Sequence, residues 1–178
     1  MHKAIVSRFV SNVILSGLAI LALSPAKAQA ANGNMFWGFG PGIEVLSKDG
    51  TGTGFYIQGF LAHNFNSHAA IGGHAGYSNL GGVGIQAWDF GSFGQLTEPD
   101  SGLYGRFYLD GVNMRTSGGA LAHGVNGTQT GLATGVGFGM LIPSVGSFHL
   151  VPELTYKVAF MQTAVNLVGM TFSAMWDF

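Results

Sequence analysis

The chain has 178 residues, 30 glycines, no cysteine and 8% charged residues against 47% apolar ones. An ordinary soluble domain carries about 25% charged residues, so the composition excludes a normal water-facing surface, and it is too apolar for disorder. The absent cysteines exclude a disulfide framework and a thiolate metal site, and the length suits one domain.

The first predicted element is a leader. Lys3 and Arg8 precede an apolar run from Val13 to Leu23, and Ala28-Gln29-Ala30 follows. A basic start, a short apolar core and small residues around a cleavage point make the pattern of a secretory signal peptide. As a helix the core would span about 16 Å, roughly half a bilayer, which disfavours a membrane anchor. Cleavage is expected after Ala30, with Ala28 as the alternative, giving a signal peptide over 1–30 and one domain over 31–178. That domain sets Lys48, Arg106, Arg115 and Lys157 against eight acids, a formal charge of −4. It has no basic patch for nucleic acid, and no run of about 18 apolar residues for a membrane helix.

The remainder alternates with the two-residue period of strands. In 35–46, Trp37, Phe39, Pro41, Ile43 and Val45 oppose Phe36, three glycines and Glu44. In 55–65, Phe55, Ile57, Leu61 and Phe65 oppose Tyr56, Gln58 and Asn64. The segment 69–78 sets Ile71, Ala75 and Tyr77 against His74 and Ser78. In 83–93 the apolar parity switches between Ile85 and Trp88, which predicts a bulge. Leu103, Phe107 and Leu109 then oppose Tyr104, Arg106, Tyr108 and Asp110. Segment 132–143 carries Leu132, Val136, Phe138, Met140 and Ile142 over alanines and glycines. Its GVGFG (135–139) lacks a terminal lysine and reads as strand, not as a phosphate loop. Segment 148–160 sets Phe148, Leu150, Leu154, Tyr156 and Val158 against His149, Glu153, Thr155 and Lys157, and the last strand runs over 166–178.

Eight strands of this length, apolar on one face, solve the problem of a secreted and strongly apolar chain without a spanning helix. They can close into an eight-stranded antiparallel transmembrane β-barrel that faces lipid. A soluble sandwich or lipocalin-like barrel would carry its charges on the outer face, whereas here they share the other one. Short turns are expected at 66–68, 95–101 and 144–147, and external loops at 47–54, 79–82, 113–130 and 161–165. Aromatic girdles are expected from Trp37, Phe93, Phe148, Trp176 and Phe178 at one end, and from Phe55, Tyr77 and Phe160 at the other.

The final MTFSAMWDF places Phe172, Ala174, Trp176 and Phe178 on one face and finishes on an aromatic. It resembles the C-terminal assembly signal of bacterial outer-membrane β-barrels, and the whole chain is similar to the small eight-stranded OmpA/OmpX-like class. The resemblance implies a Gram-negative cell outer membrane and contacts with its lipid and lipopolysaccharide. It also implies insertion by the barrel-assembly machinery through that strand, and a monomer.

A lumen of this size is filled by side chains. The inward faces offer Glu44, Gln58, His74, Arg106, Asp110, His149, Glu153 and Lys157, and buried opposite charges should pair. Arg106 is expected to meet Glu44, Asp110 or Glu153, and Lys157 to meet Glu153. The reading is a polar plug in a structural or surface-interaction protein, with a narrow pore as the alternative and a lipid A-modifying enzyme third. His63, His68, His123, Asp100 and Ser101 are the parts an acyl-transfer site would use. The predicted topology puts Asp100-Ser101 at a periplasmic turn and His123 in an external loop, so these cannot meet, and His63 can approach Ser67 or His68 only as a turn contact; no catalytic residue is assigned. The scattered histidines suggest no metal site, and no cofactor is expected.

Overall fold

The computed structural model describes residues 34–47, 51–81, 83–116, 127–162 and 164–178. The predicted signal peptide, Gly82 and the centre of the longest predicted loop lie outside them. Eight strands follow one another: β1 (Met35–Ser47), β2 (Thr51–Asn64), β3 (Ala69–Leu80), β4 (Ile85–Thr97), β5 (Leu103–Thr116), β6 (Thr128–Met140), β7 (Phe148–Phe160) and β8 (Ala164–Asp177). After a break at Leu141, β6 resumes for Ile142–Pro143. Each strand pairs antiparallel with its chain neighbours, and β1 pairs with β8, so the sheet closes on itself. Closure removes the unpaired edges that lipid cannot satisfy.

The strands run past the expected lipid-crossing segments. Gln95 and Leu96 pair with Arg106 and Gly105, which shortens the predicted 95–101 turn to the residues between Thr97 and Leu103. Arg115 pairs with Thr128, and Asn113 Nδ2 donates to Thr130 Oγ1 at 2.9 Å. Those polar residues suggested a loop. The alternation nevertheless persists, because Val112 and Met114 stay buried inside.

The predicted bulge in β4 is absent. The β3–β4 register runs without a break from Ala69↔Leu96 to Leu80↔Ile85. The parity switch has another cause: Ile85, Ala87 and Phe93 all point inward and are buried, while Trp88 and Phe90 point outward. Phe93 therefore leaves the predicted aromatic girdle. Two other interruptions do occur, each at a proline, which has no N–H for a ladder. The β1–β8 register skips Gly40 and Pro41, and the β6–β7 register skips Met140 and Leu141 across from Val151 and Pro152.

The turns are locally determined. Asn66 Oδ1 accepts the amides of His68 and Ala69 at 2.8 and 2.9 Å. Glu98 accepts from Ser101 Oγ and Ser101 N, both at 2.6 Å, and these donors hold its carboxyl below the usual range. Gly102 and Gly146 adopt φ of 69° and 64°, which glycine takes without a Cβ clash.

Outside, a belt of large apolar side chains is exposed, among them Phe39, Ile43, Leu61, Phe90, Phe107, Leu109 and Phe138. Inside, the packing is layered. At the end bearing connections 48–50, 81–84 and 117–127, Leu46, Leu80, Ile85, Val112, Met114 and Val165 are 0–1% exposed and form one apolar cluster. At the opposite end, Phe36, Phe60, Phe93, Val151 and Met175 belong to a second cluster. Glu44, His74, Asp89, Asp110 and Lys157 lie between these layers, Arg106 lies among the rings of the second, and His149 lies level with Met175 at that end.

Candidate functional site

Alternation on β5 aims Tyr104, Arg106, Tyr108 and Asp110 into the lumen, and all four are buried. Arg106 Nη1 donates to Glu153 Oε2 of β7 at 2.8 Å, and Arg106 Nε to Gln95 Oε1 at 2.7 Å. Tyr104 OH donates to Glu153 Oε2 at 2.6 Å, and Tyr108 OH donates to Glu153 Oε1. β6 lies between β5 and β7, so these side chains must reach over it. Gly137 makes that possible: a Cβ there would come within 2.5 Å of Glu153 Oε1. The guanidinium carbon lies 4.5–4.8 Å from the ring centres of Phe60, Phe93 and Tyr104, which is cation–π range.

A second node surrounds Lys157 of β7. Its Nζ contacts Asp89 Oδ2 of β4 and lies 2.8 Å from Asp110 Oδ2 of β5. His74 Nε2 of β3 stands 2.7 Å from Asp110 Oδ1, and Tyr56 OH of β2 donates to Asp89 Oδ2 at 3.2 Å. Nearby, Ser78 Oγ donates to Glu44 Oε2, and Gln58 Nε2 donates to Thr171 Oγ1 at 3.0 Å. His149 stands apart near the other end, with Nε2 2.9 Å from Asp177 Oδ2.

The eight predicted lumen residues are thus all buried, but the pairing differs from expectation in part. Arg106 chooses Glu153 among its three candidates. Lys157 pairs with Asp89 and Asp110 rather than with Glu153, whose oxygens already accept from Arg106, Tyr104 and Tyr108. Sequence reasoning missed Asp89 as a partner because the supposed bulge left its facing undecided. Uninterrupted alternation through Asp89, Gly91, Phe93 and Gln95 was the signal that places it inside.

Sequence spacing also gave no sign that His74, Asp89 and Asp110 would meet, yet their ligating atoms lie within 4.8 Å of one another. Of the candidate enzyme parts, His68 lines one cleft with Glu98, and its backbone carbonyl accepts from Thr97 N at 2.7 Å. Ser101 Oγ is bonded to Glu98, His63 packs its ring against Phe65, and His123 lies outside the described residues.

On the closing seam, Phe172 faces outward and Trp176 stacks on Trp37 with centroids 4.7 Å apart. Phe148 adds a third ring 5.1 Å from Trp176. Ala174 pairs with Phe39 and Leu150. Phe178 exchanges backbone hydrogen bonds with Met35 at 3.0 and 3.2 Å while its side chain stays exposed.

No family model matches the chain, and no curated protein matches its sequence. Solved structures do match its fold. The crystal structure of Neisserial surface protein A aligns with a TM-score of 0.65 at 13% identity, over 82% of this chain and 97% of that one. Ail, the attachment invasion locus protein of Yersinia pestis, gives 0.57 at 15%, over 82% and 99%. The N-terminal β-barrel domain of Pseudomonas aeruginosa OprF gives 0.59 at 10%, over 81% and 98%. The likeness is one of fold: the chain is built as the small eight-stranded outer-membrane barrels are.

Proposed function

We propose that the chain is an integral outer-membrane barrel with a plugged lumen, serving a structural or surface-contact role. The observation that carries this reading is the layered interior. A pore needs a continuous wet path, and here an apolar cluster packs the lumen at one end, while toward the other the Arg106 guanidinium is packed among aromatic rings and ion-paired with Glu153. The exposed apolar belt supports a lipid-facing wall. Two matching proteins are named for the cell surface and for attachment, and the surface-contact part of the proposal rests on that analogy. Lipopolysaccharide and membrane lipid are its proposed neighbours, and a monomer its proposed state. An acyl-transfer enzyme is disfavoured because Ser101 hydrogen-bonds a carboxylate rather than a histidine. Purified protein in a planar bilayer is expected to give no discrete conductance steps, and reproducible steps would instead support the narrow pore.

The proposal includes recognition of Phe172, Ala174, Trp176 and Phe178 by the assembly machinery, with Phe178 at the periplasmic end. Removing Phe178 deletes one exposed ring and its backbone pair with Met35. Burying a whole Phe contributes only about 1.5–3 kcal/mol, which a closed barrel survives. The deletion is therefore expected to impair insertion in cells while refolding in detergent stays near normal, as read by heat-modifiable gel migration. Normal insertion in cells would count against the assembly role.

A further inference from the structure

We propose that the outer wall carries a binding cleft for a phospholipid with a primary-ammonium headgroup, seated where the turns 65–68 and 98–102 meet the foot of β4, β5 and β6. The proposal rests on the lipid-facing reading of the wall given above, and adds to it a site and a headgroup.

The cleft begins with a missing side chain. Gly105 stands on the outward row of β5 with Leu103 and Phe107, and it pairs with Leu96 of β4 on one side and Phe138 of β6 on the other. Leu96 is 71% exposed and Phe138 63% exposed, so two large side chains stand clear of a floor that has none. A Cβ at Gly105 would find nothing closer than 3.9 Å. The inward glycines of β6 differ, since Gly137 and Gly139 make room for Glu153 and Tyr104. Gly105 makes room for no side chain of its own barrel. The cleft over it has a volume of about 700 Å³, within the range of sites that hold small ligands. On a wall that faces lipid, an acyl chain is the group that fills an apolar dent of this kind.

The lip of the cleft is polar. His68 and Glu98 line it from the two turns. Thr97 N donates to His68 O, and Glu98 N donates to Leu103 O, both at 2.7 Å, so both lips are tied to the sheet. Glu98 Oε2 accepts from Ser101 N and Ser101 Oγ, whereas Oε1 accepts a single long bond from Asp100 N at 3.3 Å. A carboxylate oxygen offers two lone-pair sites, so Oε1 keeps one for an incoming donor. The bonds from Ser101 hold the Glu98 carboxyl below the usual range, which keeps the anion present at neutral pH.

Charge selects the headgroup. Asp100 stands beside Glu98 on the same turn, and among the described residues this end of the barrel presents no exposed lysine or arginine. Arg106 and Lys157 are buried, and Arg115 pairs with Gln86 and Thr128 at the opposite end. An anionic headgroup would meet two carboxylates and no exposed cation. A headgroup with an ammonium next to its phosphate fits instead, with the ammonium on Glu98 Oε1, the phosphate toward the His68 ring and a chain over Gly105. A primary ammonium brings three N–H donors, and hydrogen bonds between charged groups are the stronger kind. A quaternary ammonium brings none.

Purified protein is refolded into vesicles made of equal parts of phosphatidylethanolamine, phosphatidylglycerol and phosphatidylcholine with identical acyl chains. After extraction in mild detergent, the retained lipid is identified by native mass spectrometry. Wild type is expected to retain phosphatidylethanolamine about tenfold over either competitor, the order expected of one charge-assisted hydrogen bond. Glu98→Gln keeps the shape and removes the charge, and should cut that preference to about twofold or less. Gly105→Leu fills the floor, where open space admits the side chain, and should lower retention of all three lipids. Equal retention of the three lipids by wild type, or an unchanged preference in Glu98→Gln, overturns the proposal and leaves the membrane barrel standing. So does a Gly105→Leu variant that holds phosphatidylethanolamine as wild type does. Protein that does not enter the vesicles at all overturns both the site and the lipid-facing reading beneath it.

Discussion

Replacing Arg106 by alanine is expected to lower the unfolding free energy by about 3–5 kcal/mol, the range for breaking a buried ion pair from one side. Glu153 would keep the hydroxyls of Tyr104 and Tyr108 but lose the Arg106 guanidinium, the one cation within 4 Å of it among the described residues. Gln95 would lose the donor to its carbonyl oxygen, and the rings of Phe60, Phe93 and Tyr104 would line the vacated volume. The size of the effect therefore depends on charge as well as on packing, and a second substitution separates the two. Glu153→Gln in the Arg106→Ala background removes the unpaired charge and should restore part of the midpoint, leaving the packing loss. Urea unfolding of the refolded barrel, followed by heat-modifiable migration, reads both. An unchanged midpoint for Arg106→Ala would remove the idea that the plug is centred on this pair.

The second large effect is expected at the opposite apolar layer. Leu80 is fully buried and pairs across the β3–β4 hairpin with Ile85, itself fully buried. Leu80→Ala removes apolar contact and leaves a cavity that the closed sheet cannot collapse around, so a loss of about 2–5 kcal/mol is expected. The same variant should remain electrically silent in a planar bilayer, because the Lys157 and Arg106 nodes still cross the lumen beneath it. A midpoint within about 0.5 kcal/mol of wild type, the usual range for surface substitutions, would mean that Leu80 does not belong to a packed layer.

Much of this architecture is visible in the alternation of the chain. Strands such as β1 and β7 declare both faces at once, because Trp37, Phe39 and Ile43 oppose Glu44, and Tyr156 opposes Glu153 and Lys157. The inward residues follow from parity alone. What parity does not supply is the partner across the lumen. Whether Arg106 meets Glu44, Asp110 or Glu153 depends on strand stagger and on which intervening side chains are absent, and Gly137 settles it by standing aside on β6. Nor does alternation separate an apolar residue that faces lipid from one that fills the lumen. Ile85 and Phe93 read as candidates for the outer face, and this made β4 look irregular. The apolar layers inside the barrel stayed hidden for the same reason: both solvents for these side chains, lipid and core, are apolar.

The two prolines that interrupt the ladder have a joint consequence. Pro41 weakens the seam between β1 and β8, and Pro152 weakens the seam between β6 and β7. Between these seams lies one unit, the β7–β8 hairpin, whose own ladder is unbroken from Phe148↔Trp176 to Phe160↔Ala164. Among the described residues no other seam is interrupted within its paired span. The cylinder thus resembles a cask in which one pair of staves is glued firmly together but perforated along both outer margins. A wall with no free edge in its closed state still carries two tear lines, and they bound the hairpin that brings Lys157 and Glu153 to their counter-charges. Were the wall to part along these seams, Lys157 and Glu153 would be drawn from their counter-charges on β4 and β5 with it.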